Sequence, residues 1–280
     1  MRHRMLTMVL ILVVVRLVPC ADGQALRESV DQARSVLREG VGASDPLVRV
    51  EAITSVGMIG NHELVVARLE KLLEDKDVRV RLATIRALAD LESMHSIELL
   101  RRVLEEDKVP EVSFAAAKAL EKLKDPAGTR ALMDVYDGKR KTRSGMIGKK
   151  KRETTDQFHS VPSGMMFVVS RGAGYVPVPG VGEGFSAFTT LVRDKGLSDR
   201  AGVVLILGQS KDAEVTKLLR DALHDSDWSV RAAAVQMIAH SARVELRDDL
   251  LPLFNDKNQK VQFRAAGAFL HLALIQYPQK

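Results

Sequence analysis

Apolar residues recur three and four positions apart along most of the chain, the spacing that gathers them on one face of an α-helix. Val80, Ala83, Ala87, Leu88 and Leu91 mark one such face, and Ile97, Leu99, Leu100, Val103 and Leu104 mark another after a short turn. An Asp or Ser stands ahead of many of these runs, placed to cap the first turn, as Asp77 is ahead of 78–91. The pattern predicts pairs of antiparallel helices. It adds a capping helix over 26–37 and a last helix over 261–275, with Lys257, Lys260, Gln262 and Arg264 on its wetter side.

The pairs repeat. Three stretches overlay on the valine that closes their lead-in, at Val80, Val112 and Val230, and further copies anchor at Val48 and Val261. A degenerate copy, Ser198-Asp-Arg-Ala-Gly-Val-Val, anchors near Asp199. The successive gaps are 32, 32, 87, 31 and 31 residues, so the odd one holds a repeat plus an insertion of about 56. No single pair can bury its apolar face alone, and the units must stack. Composition agrees: 46% of residues are hydrophobic but only 4% aromatic, which suits close helix-on-helix packing better than sheets.

Lead-in Asp, then Val-Arg, then an Ala-rich helix closing on Leu resembles a HEAT repeat of the short phycobilisome-lyase type, over about 45–138 and 186–275. Val-Arg is intact at Val48-Arg49, Val80-Arg81 and Val230-Arg231, and is replaced by Val112-Ser113 and Val261-Gln262. The resemblance implies an all-α solenoid of about five or six two-helix repeats, used to bind other macromolecules. Arg49, Arg81 and Arg231 are expected to be structural, bonding the Asp lead-in or carbonyls of a neighbouring unit. The competing reading makes them a stripe for an anionic partner.

Around 139–185 the pattern breaks. Lys139, Arg140, Lys141, Arg143, Lys149, Lys150, Lys151 and Arg152 crowd into fourteen positions without an acid, and 165–185 is apolar and rich in Gly and Pro. Tyr175-Val-Pro-Val-Pro is no helix interior. Long insertions of this kind are often functional and often fall on the binding face of a repeat array. Three readings stay open. Met165, Met166, Phe167, Val168 and Val169 cover a groove of the chain's own solenoid; or the basic run meets an anionic surface while the apolar arm, with Tyr175, enters a partner or a membrane interface; or the segment is a solvated loop. The basic run has no interleaved aromatics, and nucleic acid is not expected.

The first residues have the form of an export signal. Arg2, His3 and Arg4 precede an uncharged apolar run over 5–15, too short for a span, and Ala21-Asp22-Gly23 offers a cleavage site before Gln24. Leu17-Val-Pro-Cys20 is similar to a lipobox, with Pro19 out of place. The expected division is a signal over 1–23, repeats over 24–138, the insertion over 139–185 and repeats over 186–280. The chain is expected to be exported to a periplasm or the outside, with lipid on Cys20 as an open option. Cys20 is the sole cysteine, which excludes an internal disulfide and a thiolate zinc site.

Catalytic patterns are sparse. Gly180-Val-Gly-Glu-Gly has neither the Lys-Ser/Thr of a P-loop nor a complete G-x-G-x-x-G. Among HEAT-type enzymes, deoxyhypusine hydroxylases hold two irons with repeated His-Glu pairs, and this sequence has one, His62-Glu63. No G-x-S-x-G elbow is present, and nothing marks a bilin pocket. The expectation is therefore a non-enzymatic scaffold without catalytic, cofactor or metal residues, which binds a protein partner. A membrane-associated adaptor using the insertion is the alternative, and a HEAT-type metalloenzyme or lyase ranks below it.

Overall fold

The computed structural model describes residues 21–141 and 198–277. All regular structure among them is helical: α1 (Ala21–Val41), α2 (Pro46–Val56), α3 (Glu63–Glu70), α4 (Val78–Asp90), α5 (Ile97–Glu106), α6 (Pro110–Lys122), α7 (Pro126–Tyr136), α8 (Asp199–Leu207), α9 (Ala213–Ala222), α10 (Trp228–His240) and α11 (Gln259–Gln276), with short 3₁₀ runs between them. The fold is an all-α array of two-helix repeats.

Most repeats begin with the same polar lock, α6 being an exception because its cap residue is Val109, and α8 a variant in which Ser198 accepts the N–H three residues on. The helix-capping side chain accepts the N–H two residues on, at 2.8 Å for Asp45 to Leu47, 2.9 Å for Asp77 to Arg79 and 2.8 Å for Asp227 to Ser229. These bonds satisfy donors that a helix start leaves without intrahelical partners. The lead-in Asp caps the cap in turn: Asp75, Asp107, Asp225 and Asp256 each take the N–H two residues ahead, at 2.8–2.9 Å. First helices end in a residue of left-handed backbone, Glu92 (φ 50°), Lys124 (φ 60°) or Ala242 (φ 50°). There the following N–H reaches back five residues, as Asp125 does to the Leu120 carbonyl at 2.8 Å, which closes the helix in the Schellman manner.

The described residues form two compact units, 21–59 with 198–277, and 60–141. This division cuts the chain between Ile59 and Gly60, inside the first expected repeat, and joins the N-terminal helices to the C-terminal ones. Most of the expected insertion, 142–185, lies outside the described residues. In the unit 60–141, α4 and α5 pack on α6, and α6 packs on α7, around Ile85, Leu88, Leu100, Leu104, Val112 and Leu120. A Cβ on Gly128 would sit 2.3 Å from the Glu121 backbone nitrogen, so glycine allows α7 its approach to α6.

In the other unit α8 packs on α10 and α10 on α11, and α1 and α2 then pack on the far side of α11. The linear order of repeats suggested by the sequence thus brings the first described helices against the last one. Gly267 of α11 lies so close to α2 that a Cβ would meet the Ser55 carbonyl at 2.3 Å, and Gly40 of α1 leaves room for Phe263. Phe254 and Phe269 pack edge to face at 5.4 Å.

Two expectations need correction. Residues 229–239 of α10 and 263–270 of α11 are all buried, as befits helices apolar on every side. Arg264, expected on the wetter side, is 2% exposed, because α2 occupies that face. The degenerate copy also shifts by two. Ser198 caps α8 as Asp227 caps α10, which puts Ala201, fully buried, in the place of Val230, and Gly202 in the place of Arg231.

Candidate functional site

The residue after each repeat valine has one geometric task in all five valine-anchored copies. Its side chain donates to the carbonyl six residues back: Arg49 to Ala43 (2.8 Å), Arg81 to Asp75 (2.9 Å), Ser113 to Asp107 (3.2 Å), Arg231 to Asp225 (2.7 Å), and Gln262 to Asp256. Arginine adds a second contact. Arg81 grips the Asp107 carboxylate with Nε and Nη2 at 2.8 and 3.1 Å, and Arg231 grips Asp256 at 2.6 and 2.7 Å. Each guanidinium thereby ties its own lead-in to the next one by a fork-to-carboxylate pair. Where Gly202 replaces the arginine, Arg200 reaches Asp225 from two positions earlier.

Other polar ties run between turns. Arg101 of α5 holds Asp125, the cap of α7, at 2.6 Å, and this guanidinium keeps the Asp125 carboxyl below the usual carboxylate range. Ser198 does the same for Asp227 by hydrogen bonding. Arg79 pulls Asp77 down to about 2. Buried Arg243 bonds Ser210 and Thr216, and Ser241 donates to the Gly208 carbonyl at 2.9 Å. The repeat anchors pointed to Arg49, Arg81 and Arg231. Arg101, Arg200 and Arg243 were missed, and Arg264 was named but assigned to the wetter side of its helix.

The partner-binding candidates Lys149, Lys150, Lys151, Arg152, Met165, Met166, Phe167 and Tyr175 lie outside the described residues. At the near end of the basic run, Lys139 pairs with Asp137 at 2.8 Å, and Arg140 bonds the Leu104 carbonyl at 2.9 Å and Glu105 at 3.1 Å. These two cations are engaged within their own unit. His62 occupies the cap position of α3 and Glu63 its first turn, where a carboxylate suits the helix dipole. Among the described residues no three His, Cys, Asp or Glu side chains gather closely enough to hold a metal ion.

One open groove, about 410 Å³, crosses two successive repeats of the unit 60–141. Its floor is Leu73, Leu99 and Val103, and its walls mix acids such as Glu74 and Glu106 with bases such as Lys76, Arg102 and Lys108. An apolar floor with convergent charges of both signs suits a polypeptide segment better than a compact ion. Met133 and Tyr136 of α7, the latter 92% exposed, add apolar surface to this unit.

Comparison with known proteins places these repeats in a wider group. A family model described as HEAT repeats matches residues 23–89, 65–145 and 186–269. No curated protein sequence matches the chain. Among solved structures, human deoxyhypusine hydroxylase in complex with glycerol is 14% identical at a TM-score of 0.33, covering 88% of this chain and 98% of its own. At that level the likeness bears on neither activity nor ligands.

Proposed function

The chain belongs to the HEAT-repeat family, and from that premise we propose that it is a non-enzymatic scaffold that binds a protein partner. The groove between successive repeats in the unit 60–141 is the observation that favours binding. Its Leu99 and Val103 are half-buried at the floor of charged walls, a surface for docking and not a closed reaction chamber. The repeat arginines contribute to the array and not to the partner, since their guanidiniums are held by lead-in carboxylates and carbonyls.

The same proposal places the protein outside the cytoplasm. A cut before Gln24 would remove three residues of α1 and leave its buried stripe, Val30, Ala33, Leu37 and Val41, intact. Export is therefore compatible with the fold. Intact mass of the protein recovered from the exported fraction of a bacterial host tests it: a chain starting at Gln24 supports the reading, and one starting at Met1 in the cytosolic fraction counts against it.

Binding is tested by affinity capture from that fraction with the whole chain, a chain lacking 139–185 and a Leu99→Glu variant. A partner retained by all three, at equal yield, would remove both the groove and the insertion from the proposal. The eight basic residues over 139–152 favour a second reading, a membrane-associated adaptor. It requires the whole chain to float with anionic liposomes and the chain lacking 139–185 to stay behind.

A further inference from the structure

The groove of the unit 60–141 has an electrostatic sign once the fold's own ties are set aside. Among its acids, Asp75 accepts the Asp77 N–H at 2.8 Å, Asp107 takes the Arg81 fork at 2.8 Å, and Glu70 accepts the Ser96 hydroxyl at 2.7 Å. The other charged side chains of its lining are exposed, and there Lys76, Arg102 and Lys108 outnumber Glu74 and Glu106.

Two of these cations hold equivalent places. Lys76 and Lys108 each follow a lead-in Asp, in the tripeptide Glu-Asp-Lys at 74–76 and again at 106–108. At the corresponding position the other valine-anchored copies carry Ser44, Ser226 and Lys257, so among the described repeats only this groove has lysine on two successive lead-ins. Packed helices lie about 8–10 Å apart, a step that an extended chain covers in about three residues. Leu99, Arg102 and Val103 share one stripe of α5, with Leu99 and Val103 half-buried at the floor.

We infer that the groove takes an extended polypeptide segment with two carboxylates three residues apart and apolar residues between them. The inference rests on the reading of the protein as a partner-binding scaffold and names the chemistry of the partner. The carboxylates meet Lys76 and Lys108, the apolar side chains cover Leu99 and Val103, and the Arg102 guanidinium adds a fork that suits a carboxylate. A basic segment meets like charge at the lysine edge, and a segment without apolar side chains leaves the floor in water.

Fluorescence anisotropy with the full chain at low ionic strength tests this with three labelled peptides, in which Gly-Ser flanks enclose Glu-Leu-Leu-Glu, Lys-Leu-Leu-Lys or Glu-Ser-Ser-Glu. The first is expected to bind about tenfold tighter than the second, the effect of two exposed ion pairs, and to bind tighter than the third. Lys76→Ser with Lys108→Ser installs the residue that Ser44 and Ser226 already place at this position, and it leaves the lead-in Asp locks in place. This pair is expected to abolish the preference for the glutamate peptide over the lysine peptide. Equal affinity for those two peptides, a preference for the lysine peptide, or no saturable binding of any peptide would overturn the inference, as would a preference that survives the serine pair. A partner captured from the exported fraction that is lost with Leu99→Glu but kept by the serine pair would sink the carboxylate rule and leave the scaffold reading standing.

Discussion

Replacing Arg231 by glutamine separates the two contacts that this side chain makes. Gln262 shows that an amide at the same repeat position still reaches the carbonyl six residues back. Arg231→Gln therefore keeps the tie to Asp225 and removes only the fork onto Asp256. Arg231 and Asp256 are each 6% exposed, so the substitution strands a carboxylate away from water with one remaining protein donor, the Asn258 N–H at 2.8 Å. Breaking a buried pair by removing one partner costs about 3–5 kcal/mol. The equivalent pair joins an Arg200 side chain 69% exposed to an Asp225 side chain 10% exposed, and because water can take the place of this guanidinium its loss costs about 1 kcal/mol, nearer to a surface pair. Urea unfolding followed by the fluorescence of Trp228, the single tryptophan, reports on this unit. Adding Asp256→Asn to Arg231→Gln removes the stranded charge and should recover most of the loss. The reasoning is refuted if Arg200→Gln costs as much as Arg231→Gln, or if the double variant is no more stable than the single one.

Four further outcomes follow from local geometry. Glycine at Glu92, Lys124 or Ala242 relieves left-handed backbone and should stabilise by about 0.5–1 kcal/mol per site, measured by the same unfolding curves. Gly267→Ala forces α11 off the Ser55 carbonyl and should cost about 1–3 kcal/mol. Gly202→Ala, with nothing within 4 Å of the new methyl, should be neutral or gain up to about 1 kcal/mol. Asp77 has a folded pKa of about 2, below its unfolded value, so its contribution is complete above about pH 4 and is lost as pH falls through about 2. Asp77→Asn should flatten that part of the acid unfolding profile, and an unchanged profile would remove Asp77 from the account.

The repeat, its caps and the Val-Arg pairs were legible because each copy carries the same local chemistry. His62 and Glu63 were likewise readable as a helix start from neighbours in sequence. What escaped depended on distant chain. Periodicity alone assigned Arg264 to water, because the helix that covers it comes from the other end of the molecule. The copy at Ser198 slipped by two because Gly202 removed the arginine that marks the frame, and Arg200 took over the contact from another turn position. The second helix of the repeat that α10 opens is a 3₁₀ run over Asp248–Asn255 with Pro252 inside it, a form that apolar spacing does not distinguish from an α-helix.

The departures from the repeat pattern are themselves informative, because each changes which of the two ties a copy makes. Gln262 keeps the carbonyl tie made by every valine-anchored copy but has no guanidinium to fork onto a carboxylate. Glu51 and Arg264 face each other at 3.8 Å where α2 packs on α11. Ser113 fits the same logic from the other direction. It retains the carbonyl tie at 3.2 Å but is too short to reach across to a following carboxylate, and it belongs to the copy immediately before the 139–185 insertion. Ser113 and Gly202 both mark copies without the arginine, and at Gly202 the next lead-in, Asp225, is taken by Arg200 instead.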